Sequence, residues 1–444
     1  MRAATITEAD FGPRWGIGAA VGGETLLDYE VVTFDTGEPH SQLVATERRA
    51  DISGVRPSPS IGVLADGDPL DPAGFSGVPA AVLSALGGLG CRVVPLSLSP
   101  GGPRQTVAWR AAALPALLRP DLLGRRAVED PWAIARHSLP ARVAGRRAVR
   151  KQMAAAGPLD ALVQLEGELP SPSGLPMAVF HDSTIVQAAR SYDWPHLRGL
   201  SRRQLRRIAA WQRSAYESAV TCCAATHWVA DSMAQDYGVP VEKIHVAGRG
   251  ANHLPTWSHE RNWATPRFLF VGGDWKRKNG AGLLEAFARV RAQIPSATLD
   301  VVGDHPPIGD PGVTGHGRLS PVDPEARRTM NRLYGTATVF VLPSLHEPLG
   351  LSHIEAGHAG LASIGTVNGG SATFIADTGR CIDPARPDAL LDAMLELSDG
   401  GLARALGDRA RTRAQLFTWE LVAQRLLRAL ALPGVDTSGF AAFL

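Results

Sequence analysis

Cysteine is scarce in this chain, with four residues in 444. They lie at positions 91, 222, 223 and 381, and the adjacent pair Cys222 and Cys223 lacks the spacing of a CxxC motif. Because disulfide frameworks and zinc sites use several cysteines at recognisable spacings, neither is expected here. Reduced thiols in the protein interior are the favoured interpretation.

Long hydrophobic runs and an excess of one charge are missing as well. No apolar stretch reaches the roughly 18 to 20 residues that cross a membrane. The first residues, MRAATITEADFG, lack the basic and then apolar pattern of a signal peptide. The formal net charge of +2 gives no strong overall attraction to nucleic acid. We therefore expect a cytoplasmic protein without a nucleic-acid partner.

The length predicts more than one domain, because 444 residues are too many for one ordinary hydrophobic core. Apolar residues make up 45% of the chain and charged residues 20%, which is typical of soluble globular proteins. Residues 1–58 carry no motif and are interpreted as an N-terminal extension. A polar, proline-containing stretch at 253–266 predicts the boundary between a first domain, residues 59–255, and a second, residues 266–415.

The first domain begins with a βαβ pattern. A buried strand is predicted at 61–66, a glycine-containing loop at 67–77, an apolar helix at 78–90 and a second strand at 91–98. A loop of this kind lies at the ligand-binding edge of a parallel sheet. Its glycines do not follow GxGxxG, so the pattern does not indicate a dinucleotide site.

Two further strands are predicted at 160–167 and 176–183, and the second of them contains His181 near its end. A histidine at the carboxyl end of a strand lies at the edge where ligands bind. An equally good alternative is a histidine that only packs in the core or supports its neighbours. His181 is therefore a candidate site residue with both roles open.

The second domain begins with a similar pattern. A strand is predicted in RFLFVGGDWKRKNG (267–280), a helix at 281–294 and a strand at 298–303. Two adjacent cations, Arg277 and Lys278, stand between the first strand and the helix. Cations near the start of a helix can neutralise an anionic ligand without a metal ion.

The stretch PSLHEPLGLSHIEAG (343–357) carries the strongest functional pattern. It follows the apolar run ATVFVL, which predicts a buried parallel strand, and Pro348 and Gly350 favour a tight entry into a helix. Glu347 and Glu355 are eight residues apart, close to two helical turns, so both carboxylates can face one cleft. A bare pair of glutamates is more often a solvated helix face. The strand, proline and glycine around this pair favour a ligand site instead.

This arrangement resembles the glutamate-x7-glutamate signature of family 4 retaining glycosyltransferases, in which a Pro-Ser pair, a glutamate, a glycine and a second glutamate recur in this order. The resemblance implies that Glu347 contacts the hexose of a nucleotide-sugar donor and is catalytic. It also implies that the Gly350 backbone contacts the sugar or phosphate and that Glu355 holds the ribose hydroxyls. The other residues of this stretch that it assigns to donor binding are Pro348, Leu349 and Leu351.

The same resemblance gives roles to two loops of the second domain. It implies that Arg277 and Lys278 are catalytic, because they neutralise the donor diphosphate, and that Gly272 lies beside the donor. The loop at Gly317 and Arg318 is expected to frame the nucleobase.

In the first domain the resemblance implies that Gly74 and Gly77 approach the donor phosphates from the opposite side of the cleft. Turn glycines without a ligand are an equally good explanation for both. His181 is assigned to positioning the donor or the acceptor at the reacting centre.

The fold that the resemblance implies is α/β with GT-B architecture: two doubly wound Rossmann-like domains face an interdomain cleft, and a C-terminal helix at about 416–444 packs back on the first domain. The implied reaction transfers a hexosyl group from a nucleoside-diphosphate sugar, such as a UDP- or GDP-sugar, with retention of configuration. The acceptor is a small molecule, a glycan or a lipid-linked compound. No cofactor is expected, and no metal, since no DxD-like motif is evident in a suitable loop.

Two other functions stay open. One is a nucleotide-sugar epimerase or hydrolase of the same fold, in which water replaces the acceptor. The other is a protein that binds nucleotide sugars without catalysis, because a fold alone does not decide function.

Two segments are rich in arginine. Residues 104–151 hold eleven basic and three acidic residues, and residues 197–213 hold six arginines and no acid. Such surfaces can contact anionic lipid headgroups or an acidic acceptor, which would place the protein at the inner face of a membrane. An ordinary solvated face in an arginine-rich protein is the favoured alternative.

Overall fold

The computed structural model contains two α/β domains in the part of the chain that it describes. Each is built on a six-stranded sheet, and the strand pairs of both sheets are parallel. The predicted fold class is confirmed. The described residues are 58–71, 77–98, 137–172, 174–191, 197, 200–256, 260–320, 323–386 and 388–444.

The first sheet is made by the segments that the apolar runs predicted. Its strands are β1 (Ser60–Ala65), β2 (Arg92–Ser97), β3 (Ala161–Leu165), β4 (Met177–His181), β5 (Thr221–Ala224) and β6 (Ile244–Val246). Their order across the sheet is β2-β1-β3-β4-β5-β6. The strand order therefore reverses between β1 and β3, which makes this pair the topological switch point. Strands β1, β3 and β4 are buried along their whole length.

Helices pack around the first sheet. They are α1 (Val78–Gly88), α2 (Leu139–Ala156), α3 (Ile185–Ser191), α4 (Arg202–Ser218) and α5 (His227–Gln235). Helix α4 begins with a capping box, in which the side chains of Ser201 and Gln204 each accept a hydrogen bond from the other residue's backbone N–H. The helix predicted at 78–90 ends earlier, at Gly88, because Leu89 and Gly90 form a turn.

The second sheet has the same kind of reversal. Its strands are β7 (Arg267–Val271), β8 (Thr298–Val302), β9 (Val313–Gly317), β10 (Val339–Val341), β11 (Ala362–Thr366) and β12 (Gly379–Ile382). Their order is β12-β11-β10-β7-β8-β9, so the switch point lies between β7 and β10. Gly317, expected in a loop, is the last residue of β9. This segment forms a strand because the edge of β8 offers its backbone hydrogen-bond partners.

The helices of the second half of the chain include those predicted at 281–294 and after Gly350. They are α6 (Gly280–Gln293), α7 (Pro324–Thr336), α8 (Leu351–His358), α9 (Ser371–Ile375), α10 (Ala389–Glu396), α11 (Gly400–Ala414) and α12 (Trp419–Leu430). Within the described residues, no helix is long and apolar enough to cross a membrane.

The last helix, α12, packs against α1 of the first domain. Val422 and Leu426 of α12 belong to the same hydrophobic cluster as residues of β1 and α1. The buried Arg425 donates hydrogen bonds to the carbonyl oxygens of Ala442 (2.7 Å), Ala247 (3.0 Å) and Leu416 (3.1 Å). Its burial lowers the pKa of the guanidinium to about 10. These bonds join the middle of α12 to the segment after β6, to the residues just before the helix and to the C-terminal residues.

Candidate active site

The switch point of the second sheet brings two distant segments together. Lys278 follows β7, and Glu347 follows β10, the strand beside it. At a switch point, the connections that leave two neighbouring strands go to opposite sides of the sheet. This leaves a crevice at the carboxyl ends of the two strands, and open α/β sheets bind ligands there. This topology explains how residues about 70 positions apart share one site.

Glu347 is the centre of this site. Its side chain is buried, and Oε2 accepts hydrogen bonds from Lys278 Nζ, from Arg277 Nη1 at 3.3 Å and from Ser344 Oγ at 3.0 Å. Burial raises the pKa of this carboxyl group, but Lys278 and Arg277 together lower it by more. The resulting pKa is about 2. The pKa of Lys278 is lowered by burial, which Glu347 opposes. Both cations, Lys278 and Arg277, therefore contact the buried Glu347 carboxylate.

Arg277 is fixed from two sides. Its Nη1 donates to the His346 carbonyl at 3.0 Å, and its Nε donates to Asp274 Oδ2 at 3.3 Å. Gly272 lies under the aliphatic part of Lys278, since a Cβ at Gly272 would be 3.1 Å from Lys278 Cγ. The Arg277–Lys278 pair thus stands just before α6 with its charged groups held near Glu347.

Gly350 makes the turn into α8 possible. It caps this helix with φ of 76°, a left-handed conformation that favours glycine, and a Cβ here would lie 2.6 Å from the His353 ring. Of its neighbours, Leu349 is buried and Leu351 partly buried in the hydrophobic cluster that α12 also joins. Pro348 is partly buried.

Glu355 has a different partner from Glu347. It lies on α8, is partly buried, and its Oε2 accepts a hydrogen bond from the Tyr334 hydroxyl of α7 at 2.9 Å. Burial raises the pKa of this carboxyl group to about 7, against the lowering effect of the Tyr334 hydrogen bond. Glu355 therefore titrates near neutral pH, whereas Glu347 stays ionised.

Gly317 and Arg318, the residues expected at the nucleobase, lie at the edge of the second sheet. The Gly317 N–H donates to His305 Nε2 at 3.0 Å, so this backbone donor already has a partner. Arg318 is exposed and pairs with Asp304, with Nε donating to Oδ1 at 3.0 Å. Both residues lie at β9, three strands away from β10, with β7 and β8 between.

His181 ends β4 and is buried, with both ring nitrogens lacking a hydrogen-bond partner among the described residues. Its ring meets the edge of Tyr216 at a centroid distance of 5.3 Å. Burial lowers the pKa of His181 to about 4, so the ring is neutral at pH 7. It faces a cavity of about 270 Å³ at the carboxyl edge of the first sheet.

The glycines expected near the donor phosphates can be placed only in part. Gly77 caps α1 with φ of 76°, which explains a glycine at this turn. Gly74 lies outside the described residues, as do residues 104–136 of the first basic segment.

The two domains meet beside Glu347. The His227 N–H at the start of α5 donates to Thr373 Oγ1 at 3.3 Å. The Trp228 ring lies 5.2 Å from the His346 ring, centroid to centroid. The residue before Glu347 thus contacts the first domain directly, and the charged cluster borders the interdomain junction.

Sequence patterns missed several residues that complete this site. Ser344 and Tyr334 each bond one of the two glutamates. Glu166 follows β3 and lines the same cavity as His181. The rule that strand ends carry functional side chains would have selected Glu166, but no local signal marks Tyr334, because its partner lies 21 residues away.

Known proteins resemble this chain in the region that holds the charged cluster. Residues 265–399 match the family described as "Glycosyl transferases group 1". The chain is 30% identical over 139 residues to probable sucrose-phosphate synthase 2 of Arabidopsis thaliana, covering 31% of this chain and 13% of that protein. It is 29% identical over 223 residues to D-inositol 3-phosphate glycosyltransferase of Jonesia denitrificans, covering 43% and 52%. The chain thus matches about half or less of the length of these curated relatives.

The solved structure of sucrose-phosphate synthase from Thermosynechococcus elongatus has a TM-score of 0.56 to this chain at 19% identity, covering 83% of this chain and 97% of that one. The fold is GT-B. In this GT-B protein the group 1 match contains Arg277, Lys278, Glu347 and Glu355. The clustered charges and the family match therefore coincide in the second domain.

Proposed function

We propose that this protein is a family 4 retaining glycosyltransferase that moves a hexosyl group from a nucleoside-diphosphate sugar to an acceptor. The observation that carries the proposal is the buried cluster of Lys278, Arg277 and Glu347 at the switch point of the second sheet. A leaving nucleoside diphosphate needs positive charge held in place, and charge of this kind accelerates a reaction most in a site shielded from water.

In this proposal Lys278 and Arg277 hold the diphosphate, and the start of α6 adds the partial positive charge of a helix N-terminus. Glu347 keeps the two cations in position and meets the hexose. Glu355 holds the ribose. Metal-independent transfer agrees with a diphosphate held by protein cations, and it stays a proposal.

The acceptor is assigned to the first domain, where His181 faces the cavity. A small molecule, a glycan and a lipid-linked compound are all candidates, and the name of one relative suggests an inositol phosphate. The rival function, epimerisation with hydrolysis, uses the same donor site and water in place of the acceptor. Release of free sugar without glycoside formation would favour that rival.

A panel of nucleotides tests the donor half of the proposal. UDP-, GDP- and dTDP-sugars are added to the full chain, and the thermal midpoint is recorded for each. A ligand that binds only the native protein raises the midpoint in proportion to the logarithm of its concentration. Sugars of one nucleotide base should raise the thermal midpoint more than those of the other two. If none raises the midpoint, the protein is not a nucleotide-sugar enzyme.

Donor affinity is expected to increase as pH rises through about 7, because the ionised Glu355 carboxylate accepts ribose hydrogen bonds better than the protonated form. Calorimetric titration of the preferred nucleotide across this pH range measures the effect. Tyr334→Phe removes the hydrogen bond that lowers the Glu355 pKa, so the midpoint of the pH profile should move upward. Glu355→Ala should weaken binding about tenfold or more. A flat profile for the wild type and equal affinity for Glu355→Ala would exclude the ribose role.

Peripheral membrane contact is proposed for the basic faces of α2 and α4. Their exposed side chains include the apolar Leu139 and Val143 as well as Arg146, Arg147, Arg150, Lys151, Arg202, Arg203, Arg206 and Arg207. Basic and apolar groups on one surface favour anionic bilayers. The protein is then cytoplasmic, at the inner face of the membrane.

Vesicle binding checks this contact. Co-sedimentation should rise with the fraction of anionic lipid and fall steeply with salt. Replacing Arg146, Arg147, Arg203 and Arg206 by glutamate should abolish binding. The control variant carries the same type of replacement at the exposed Arg327 and Arg328 of α7. This variant should bind vesicles as the wild type does. Equal loss in both variants would indicate nonspecific charge attraction, and no wild-type binding at low salt would favour a soluble acceptor.

A further inference from the structure

Glu166 has an unusual backbone conformation for its residue type. It follows β3 directly and has φ of 51°, in the left-handed region that glutamate rarely adopts. Backbone strain of this kind is found most often at functional sites. The turn directs the chain from β3 into the wall of the 270 Å³ cavity, which Glu166, Gly167 and Glu168 line in succession.

The position of Glu166 in the sheet also points to a ligand. Asp66 follows β1 and Glu166 follows β3, and these two strands form the switch point of the first sheet. Both residues line the same cavity, together with His181. The corresponding position of the second sheet holds the Lys278–Glu347 cluster, so each domain has charged groups at its ligand-binding crevice.

One oxygen of the Glu166 carboxyl group is fixed by the protein. Oε1 accepts a hydrogen bond from the Asp182 backbone N–H at 2.7 Å. Asp182 in turn pairs through Oδ2 with the buried Arg249 at 3.0 Å. Beside Glu166, the buried His181 ring has two nitrogens without a hydrogen-bond partner among the described residues, so the cavity has polar groups whose partners a ligand can supply.

We propose that Glu166 binds the acceptor, and that its carboxyl group and the His181 ring hold hydroxyl groups of an uncharged sugar or polyol. This inference rests on the proposed glycosyltransferase function and adds to it the residue and chemical class that select the acceptor. A hydroxyl group fits because it both donates and accepts hydrogen bonds. An anionic group at this place would face the carboxyl groups of Glu166 and Asp182.

Charge in the cavity supports this choice. Burial raises the pKa of Glu166 well above its usual range, and Asp182 raises it further while Arg249 opposes. The neutral acid can donate a hydrogen bond as well as accept one. Other titratable groups that surround it or line the cavity are His137, Arg142, Tyr216, Asp66, Glu168 and His181.

The cavity also contains a cation and an aromatic ring. Arg142 of α2 lines the cavity, lies over the Trp211 ring at 4.6 Å and donates to the Glu168 carbonyl at 2.7 Å. A charged substituent of an acceptor would be attracted to Arg142, whereas Glu166 and His181 hold the hydroxyl groups.

The test uses the full chain and ligand-observed NMR with a panel of uncharged monosaccharides and polyols, each beside its phosphate ester. We expect an uncharged member to bind the wild type. Glu166→Ala should weaken this binding about tenfold or more, and Glu166→Gln, which mimics the neutral acid, should largely retain it. Glu217→Gln, an exposed change on α4, is the matched control and should bind as the wild type does.

Deoxy analogues of the bound sugar separate direct contact from a structural role. If Glu166 touches a hydroxyl group, one deoxy analogue should bind the wild type more weakly than the parent sugar, but should bind Glu166→Ala as well as the parent does. A purely structural residue would give the same deoxy penalty in both proteins. That result would overturn the proposal, as would a wild type that binds only phosphate esters or none of the panel.

The donor site serves as the internal reference. Midpoint shifts with the preferred nucleotide should be equal in wild type, Glu166→Ala and Glu166→Gln, because Glu166 belongs to the other domain. Normal nucleotide shifts with unchanged sugar binding in Glu166→Ala would reject this inference alone. Absence of any nucleotide shift in the wild type would reject the proposed function instead.

Discussion

Lys278→Ala is expected to lower turnover by roughly 10² or more, with a smaller change in the KM for the donor. Lys278 is held beside Glu347 at the start of α6, where it can stabilise charge that grows on the departing diphosphate. Because that charge is greater in the transition state than in the bound donor, the loss should appear mainly in kcat. Steady-state kinetics with the preferred nucleotide sugar measures it.

Lys276→Ala is the matched control for this experiment. Lys276 is exposed two positions away, so its removal changes the same net charge without touching the cluster. It should retain near wild-type turnover. EDTA should leave the parent enzyme active. If EDTA abolishes activity, a divalent ion restores it, and Lys278→Ala remains active, the diphosphate is neutralised by a metal and not by Lys278.

Glu347→Gln is expected to lower the free energy of unfolding by about 3 kcal/mol at neutral pH without nucleotide. The pKa of Glu347 is about 2 in the folded protein against an ordinary value of 4.5, because Lys278 and Arg277 outweigh the effect of burial. A carboxyl group with a lowered folded pKa stabilises the native state above its unfolded pKa. That contribution is lost as pH falls through the folded pKa. The variant leaves the mostly buried Lys278 without its carboxylate and Arg277 with Asp274 alone, which is costly.

Chemical denaturation as a function of pH checks this expectation. The difference between wild type and variant should shrink as pH falls from about 4.5 towards 2, because the unfolded wild-type chain takes up the proton at the ordinary pKa while the folded carboxylate stays ionised until about pH 2. The preferred nucleoside diphosphate should raise the thermal midpoint of the variant more than that of the wild type, since its phosphates replace the missing negative charge. Glu396→Gln, which breaks the exposed pair with Arg380, should cost less than about 1 kcal/mol. Equal stability of Glu347→Gln and wild type at pH 7 would show that the cluster does not stabilise the apoprotein.

Much of the architecture could be predicted because the strands of a parallel sheet are buried on both faces. Runs such as IGVLA and FLFV are apolar throughout, and they lie in β1 and β7. The short edge strand at 313–317 was missed for the opposite reason. Its sequence, VTGHG, has two glycines and no apolar run, and only the open edge of β8 makes it a strand.

The candidate site could likewise be predicted only in part from the sequence. The spacing of Glu347 and Glu355 and the adjacent Arg277 and Lys278 are local features, so the sequence alone could select them as candidate site residues. It could not pair them, because the contact between Lys278 and Glu347 depends on β7 and β10 being neighbours across the switch point.

Local sequence determined which segments become strands and helices and which charged residues stand at their ends, because these follow from hydrophobic periodicity, turn residues and caps. Tertiary structure decided what those charges do. Glu347 is ionised because two cations were brought to it, whereas Glu355 titrates near pH 7 because burial raises its pKa more than Tyr334 lowers it. Glu166 lies beside His181 because β3, which Glu166 follows, and β4, which ends at His181, are paired. Desolvation and Coulomb interactions depend on distance in space, and that distance is fixed only when the sheets assemble.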